Sequence, residues 1–282
     1  MFRAFTGEGR SGALRRLIGV LLVSALLPLS WGAAATPAGA EPGPVRMVTD
    51  PRLPGHTIYL PAEPAEHTPV LIWGEGGCVA MNSLYVDFLS AIAARGVMVI
   101  DNSEPYGLGL LDQAVMNASV DWVGAENARP GGPYSGRLDA GHIAVAGWSC
   151  GGLQSYELAV SRPEIATVGI IDSGQIVVDQ AQLDRLRAPV LYLLGGPTDI
   201  AYENGVRDFE HLPPALPAFL GSSDTGHFGT FLQPRGGAYA TLLGDWIRWR
   251  VAGDPVAART FTGPACGLCT TPGWSVRRRN ID

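Results

Sequence analysis

Five short apolar runs constrain this chain more than anything else in it: "VLIWG" (70–74), "VMVI" (97–100), "HIAVAG" (142–147), "ATVGII" (166–171) and "VLYLL" (190–194). Each has the length of a strand, contains no arginine or carboxylate, and stops at a glycine or an aspartate. A strand that is apolar on both faces must be covered on both faces, the situation of a parallel sheet under helices. The segments between the runs, such as "SLYVDFLSAIAARG" and "GGLQSYELAV", carry apolar residues at helical spacing. The alternation predicts an α/β fold with a mostly parallel central sheet and helices on both faces. "HTIYLPA" (56–62) and "PAFLGSS" (217–223) add two candidate strands. "LLDQAVMNASVDWVGAEN" and "AYATLLGDWIRWRVAG" add two helices.

The first 40 residues read differently. Arg3, Arg10, Arg15 and Arg16 precede an apolar run from Leu17 to about Leu29, and Ala38-Gly39-Ala40 follows as a small-residue cleavage site. This is the pattern of a cleaved secretory signal, too short for a stable membrane span. Arg15-Arg16 fits the twin-arginine route as well as the general one. Residues 41–282 then read as a single domain, exported and extracellular. Of the chain's 20 basic residues, all arginine, four fall in the leader with one of the 26 acidic residues, leaving 16 against 25. That acidic remainder excludes nucleic acid as a partner. Arg277-Arg278-Arg279 reads as a solvated end. No oligomer is implied, and a monomer is favoured.

The run "HIAVAG" leads into Gly147-Trp148-Ser149-Cys150-Gly151, and a helical segment follows at once. A serine between two glycines, after a buried strand and before a helix, has the form of a nucleophile elbow, G-x-S-x-G. The glycines are needed because side chains at 147 and 151 would collide with the neighbouring strand and helix. An acid and then a histidine should follow in chain order. Asp199, past "VLYLLGG", and His227, in "DTGHFG", fill those places. Asp172, at the end of "GIID", is the rival acid. Asp224 reads as a turn residue. His142 would lie at the wrong end of the nucleophile's strand, and His211 in a proline-rich loop.

With these residues in place the sequence resembles the α/β-hydrolase superfamily, and within it the secreted, lidless esterases that include cutinases, polyester hydrolases and dienelactone-hydrolase-like proteins. "WGEGGC", "FLSAIAARGVMVI", "RLDAGHIAVAGWSCGG", "APVLYLLGGPTD" and "GHFGT" carry the resemblance. The dienelactone hydrolases proper use a cysteine where this chain has Ser149, which argues against their specific reaction. The tail "CGLCTTPGWSVRRRNID" matches none of these groups. The resemblance implies an α/β-hydrolase fold and carboxylic ester hydrolysis by Ser149, His227 and Asp199 through an acyl-enzyme, with no cofactor and no metal. Two readings compete: a serine peptidase or amidase on the same three residues, and a non-catalytic binding protein on the same fold.

An oxyanion hole would take one backbone N–H from Cys150 and another from the glycine loop at Cys78, or from Gly77. Two loops that share one oxygen must converge, so a Cys78–Cys150 disulfide is expected, with Cys266–Cys269 as a second, local bridge. "CGLC" lacks the second ligand pair of a zinc site. Trp148 and Tyr106 are candidates for the substrate pocket, whereas Trp73 reads as core.

Overall fold

The computed structural model describes residues 44–61 and 64–281. The leader and its cleavage site lie outside the described residues. The described residues run through nine strands and seven helices. They are β1 (Val45–Asp50), β2 (Leu53–Pro61), β3 (Val70–Gly74), α1 (Val86–Ala93), β4 (Met98–Asp101), α2 (Gln113–Ala128), β5 (Ile143–Trp148), α3 (Cys150–Ser161) and β6 (Ile165–Ile171). There follow α4 (Gln180–Leu183), β7 (Val190–Leu194), α5 (Tyr202–His211), β8 (Ala218–Ser222), α6 (Gly237–Arg250), α7 (Pro255–Ala258) and β9 (Ser275–Arg279).

All nine strands form one sheet in the order β1-β2-β4-β3-β5-β6-β7-β8-β9. Strands β3 to β8 are parallel; β1, β2 and β9 join antiparallel at the edges. The apolar runs expected to be buried on both faces are so: every residue of β3, β4, β5 and β7 is buried. Alternate residues feed two cores. On one face Ile72, Val145 and Tyr192 pack with Val123 of α2, Tyr156 of α3 and Phe209 of α5. On the other, Leu71, Ala144 and Leu193 pack with Phe88 of α1 and Trp246 of α6. Trp73 belongs to this second core, as its sequence context suggests.

Three elements differ from expectation. β1, ahead of the first apolar run, is a half-exposed edge strand whose alternation is too weak to stand out. α5 contains Asn204-Gly205, a turn signature, yet Gly205 is required: a Cβ there would lie 2.6 Å from the Ser173 carbonyl oxygen. His211 is therefore the last residue of a helix and not a loop residue, with Nδ1 2.8 Å from the Arg207 carbonyl oxygen. The triple arginine is solvated at Arg277 and Arg278 but is no loose end. It belongs to β9, paired with β8 from Ala218–Arg279 to Ser222–Ser275. Arg277 pairs with Glu210 at 2.9 Å, and Arg277 and Arg279 both stack over Phe209. Charged side chains on an outer strand also protect the sheet edge from further pairing.

The strand order places the site. From β3 the chain moves outward to β4 on one side, whereas β5 lies on the other side of β3 and leads away to β6. The connections diverge above the β3/β5 pair, and the carboxyl ends of strands at such a switch point are where open α/β sheets bind ligands.

Candidate active site

Gly74 closes β3 and pairs with Gly147 of β5. A Cβ on Gly147 would lie 2.3 Å from the Gly151 carbonyl oxygen, and one on Gly151 would lie 2.0 Å from that of Gly74. Three glycines thus let the first turn of α3 sit directly on the ends of β3 and β5. Ser149, between β5 and α3, is driven to φ 52°, ψ −114°. This strained turn is held by its neighbours. The Ser149 N–H donates to the Ile171 carbonyl at 3.0 Å, and the Ser149 carbonyl accepts from Gly152 N at 3.0 Å and Ser173 Oγ at 2.6 Å. Cys78 (φ 49°) and Asp172 (φ 41°), at the exits of β3 and β6, are left-handed too. Such backbone persists only where the surroundings enforce it, and here it gathers at one end of the sheet.

The three residues singled out by order along the chain meet in space. His227 Nε2 lies 3.1 Å from Ser149 Oγ, and His227 Nδ1 lies 2.6 Å from Asp199 Oδ1. The Asp199 side chain is fully buried and His227 is 17% exposed. Asp199 follows β7, and its Oδ1 also accepts the Ala201 N–H at 2.8 Å. Asp172 makes no such bond to the imidazole. It stands behind Asp199, where Tyr239 Oη donates to its Oδ1 at 2.9 Å. His142 is at the far end of β5, paired with Asp139. Asp224 accepts from Thr198 Oγ1 at 2.8 Å in a turn.

Cys78 and Cys150 form a disulfide with Cα atoms 5.3 Å apart, and Cys266 and Cys269 form the second. The first ties the loop after β3 to the N-terminus of α3. The Cys78 N–H and that of Gly77 differ in their partners. The turn at Gly76–Cys78 is closed by Cys78 N–H to the Glu75 carbonyl at 3.3 Å and Val79 N–H to that of Gly76 at 3.4 Å. The Gly77 N–H takes no part in these two bonds. Cys150, the first residue of α3, offers its N–H as every helix start does.

The two aromatic candidates differ in exposure. Trp148 is 8% exposed and packs on Gly76, where a Cβ would fall 1.7 Å from its ring. Its Nε1 donates to the His227 carbonyl at 2.6 Å, which ties it to the histidine loop. Tyr106 is 88% exposed on the loop after β4, which also carries Leu108.

Two carboxyl pairs under the site escaped the sequence reading. Asp172 lies beside Asp199; burial, and then the Asp199 charge, push its carboxyl up to about 9. Glu75 and Asp101 are buried together under the loop after β3. Asp101 accepts from Asn82 and Ser103, whereas both oxygens of Glu75 lack a hydrogen-bond partner among the described residues. Burial, and then Asp101, hold the Glu75 carboxyl well above the usual carboxylate range. The one available signal was a lone acid in the otherwise uncharged "VLIWGEGG".

Most of the large apolar side chains that lie exposed stand on loops leaving the carboxyl ends of parallel strands. They include Leu108 and Leu110 after β4, Ile176 and Val177 after β6, Ile200 after β7 and Leu232 after β8. Among the described residues no group of three or more His, Cys, Asp or Glu is placed to hold a metal ion, and no helix is long and apolar enough to cross a membrane. No family model and no curated protein matches the chain. The case for function therefore rests on the arrangement of its own residues.

Proposed function

We propose that the protein is an exported serine esterase of the α/β-hydrolase fold that cleaves carboxylic esters with an apolar acyl or alcohol part. One observation carries the reading: a strained serine 3.1 Å from one nitrogen of a histidine whose other nitrogen is 2.6 Å from a buried carboxylate. In the reaction His227 Nε2 takes the Ser149 proton as Oγ attacks the ester carbonyl carbon. Asp199 fixes the tautomer and balances the imidazolium. The tetrahedral oxyanion lies at the N-terminus of α3, where the helix dipole and the Cys150 and Gly77 N–H groups favour negative charge. Each such donor is worth about 3–4 kcal/mol in the transition state. Collapse expels the alcohol with the proton from His227. Water, deprotonated by the same nitrogen, then releases the acid and restores Ser149.

The apolar side chains on the surrounding loops favour an apolar substrate over a charged one. The two disulfides accord with an oxidising compartment and with residues 1–40 as an export signal. Hydrolysis of p-nitrophenyl butyrate, abolished in Ser149→Ala together with fluorophosphonate labelling, is the expected result. Labelling with turnover of peptide anilides alone would make the protein a peptidase. No labelling of the folded wild type would make it a binding protein.

A further inference from the structure

Asp172 and Asp199 leave the carboxyl ends of adjacent strands, β6 and β7, and each has one oxygen accounted for. Asp199 Oδ1 takes His227 Nδ1 and the Ala201 N–H; Asp172 Oδ1 takes Tyr239 Oη. The remaining oxygens, Asp172 Oδ2 and Asp199 Oδ2, are both buried and both without a donor. The two carboxyl groups stand within hydrogen-bonding reach of each other. Two acceptors facing one another out of water leave both unsatisfied, but a single proton between them satisfies both. The pocket is shut: a Cβ on Gly229, two residues after His227, would fall 2.7 Å from Asp172 Oδ2 and 2.1 Å from Tyr239 Cε2.

We infer that Asp172 is a positioning residue, held as the neutral carboxylic acid, which donates a hydrogen bond to Asp199 Oδ2 and so fixes the carboxylate that orients His227. This rests on the reading of Ser149, His227 and Asp199 as a catalytic triad. Burial and the negative charge of Asp199 favour a neutral acid at Asp172, and outweigh the hydrogen bonds from Tyr239 Oη on α6 and from the Gly195 main chain, which favour the carboxylate. Tyr239 itself is a neutral hydroxyl with Thr225 beside it. The one ion-pair partner of either carboxyl among the described residues is His227, on the far side of Asp199. The direction of the Asp172 shift, up to about 9 by burial and then by the Asp199 charge, follows from the same surroundings. The bond needs no net transfer: the proton stays on Asp172 through the cycle, and only its loss to alkaline solvent removes the donor and sets two carboxylates against each other.

The test uses the full-length mature protein, Asp172→Asn and Asp172→Ala. The asparagine amide keeps a donor for Asp199 and an acceptor for Tyr239 but cannot ionise. With p-nitrophenyl butyrate at pH 7, Asp172→Asn should hold kcat within about threefold of wild type. Asp172→Ala should lose about 10- to 100-fold in kcat with little change in KM, the loss of one hydrogen bond to a charged group. Wild-type kcat should fall on the alkaline side near pH 9, and that limb should vanish in Asp172→Asn. A limb that persists in Asp172→Asn, or an Asn variant as impaired as the Ala variant, overturns the inference. Infrared difference spectra judge it without turnover. Wild type minus Asp172→Asn at pH 7 should show one carboxylic-acid C=O band, lost on titration to pH 10. Its absence overturns the inference even in a protein that proves to cleave no ester. Its presence in such a protein leaves the shared proton standing and rejects the esterase reading alone.

Discussion

Trp148 donates its indole N–H to the main-chain carbonyl of His227 at 2.6 Å. The residue immediately before the proposed nucleophile thus holds the loop that carries the proposed base. Tyr85, Phe228 and Phe231 pack around the same ring, with centroids 5.1 to 5.9 Å away. Trp148→Phe keeps much of that packing and removes the bond. We expect kcat to fall about fivefold to tenfold, the worth of one buried neutral hydrogen bond, with KM nearly constant. Steady-state kinetics on a soluble ester checks this. A KM rise at unchanged kcat would place Trp148 in the substrate pocket.

The Cys78–Cys150 disulfide closes a loop with a sequence separation of 72. Loop-closure entropy gives it about 4 kcal/mol of stabilisation before strain. It also pins the two segments that carry the proposed oxyanion donors. Cys78→Ser with Cys150→Ser should lower Tm by several degrees and kcat more than it raises KM, because the donors act mainly on the transition state. Cys266→Ser should spare kcat, since its bridge closes a local turn after α7, far along the chain from Ser149. Equal kcat in the double variant and wild type would show that the bridge does not shape the hole.

Two glycines separate close approach from mere permissiveness. A Cβ on Gly151 would lie 2.0 Å from the Gly74 carbonyl oxygen, whereas one on Gly124, inside α2, meets nothing within 4 Å. Gly151→Ala should lose activity and melt well below wild type, because backbone must move. Gly124→Ala should raise stability by up to about 1 kcal/mol at unchanged activity. Thermal melts and ester turnover of the pair decide it.

The same contrast explains what could be read from the chain alone. The turn at Ser149 was legible because its cause is local: a buried strand, a helix and two obligatory glycines within a few residues. Asp199 and His227 were legible because each follows an apolar run, so chain order put them at one end of the sheet. β9 was not, because "SVRRR" has no apolar alternation and becomes a strand only through β8 and the Phe209 ring beneath its arginines. α5 was hidden by Asn204-Gly205, whose glycine serves a tertiary contact. Asp172 was noticed as a rival acid, but a carboxyl that backs another one depends on the spacing of β6 and β7, which one-dimensional order does not contain. That the Cys78 N–H closes a tight turn and the Gly77 N–H does not depends on backbone geometry that the residue names do not carry.

Glu75 should make stability depend on pH. Below about 4.5, its ordinary value, the carboxyl is protonated in the folded and unfolded chain alike. Above it only the folded chain keeps the proton, because burial and Asp101 raise the folded value. Stability is therefore full below that pH and is lost as pH rises, at up to about 1.4 kcal/mol per pH unit, until the folded group itself titrates. Glu75→Gln keeps the size of the side chain and has no proton to lose. Its Tm relative to wild type should climb between pH 5 and pH 8. A difference that stays flat across that range would mean that Glu75 is ionised in the fold.

The exposed apolar side chains set the last expectation. Leu108 is 95% exposed and Ile200 83%, on loops that leave β4 and β7 at the same end of the sheet as Ser149. Side chains so placed gain only when something apolar covers them, and a long acyl chain reaching out from Ser149 would do so. Covering even part of a leucine or isoleucine is worth on the order of 1 kcal/mol. Leu108→Ser with Ile200→Ser should therefore raise KM about fivefold or more for a p-nitrophenyl ester of a long fatty acid, and leave the acetate ester unchanged. Because Leu108 and Ile200 already face solvent, no opening step is needed to expose them. Rates followed through the solubility limit of the long ester should rise smoothly, without a jump. Equal effects on long and short esters would remove these loops from substrate binding, and a jump at the limit would mean that a covering element moves before substrate can bind.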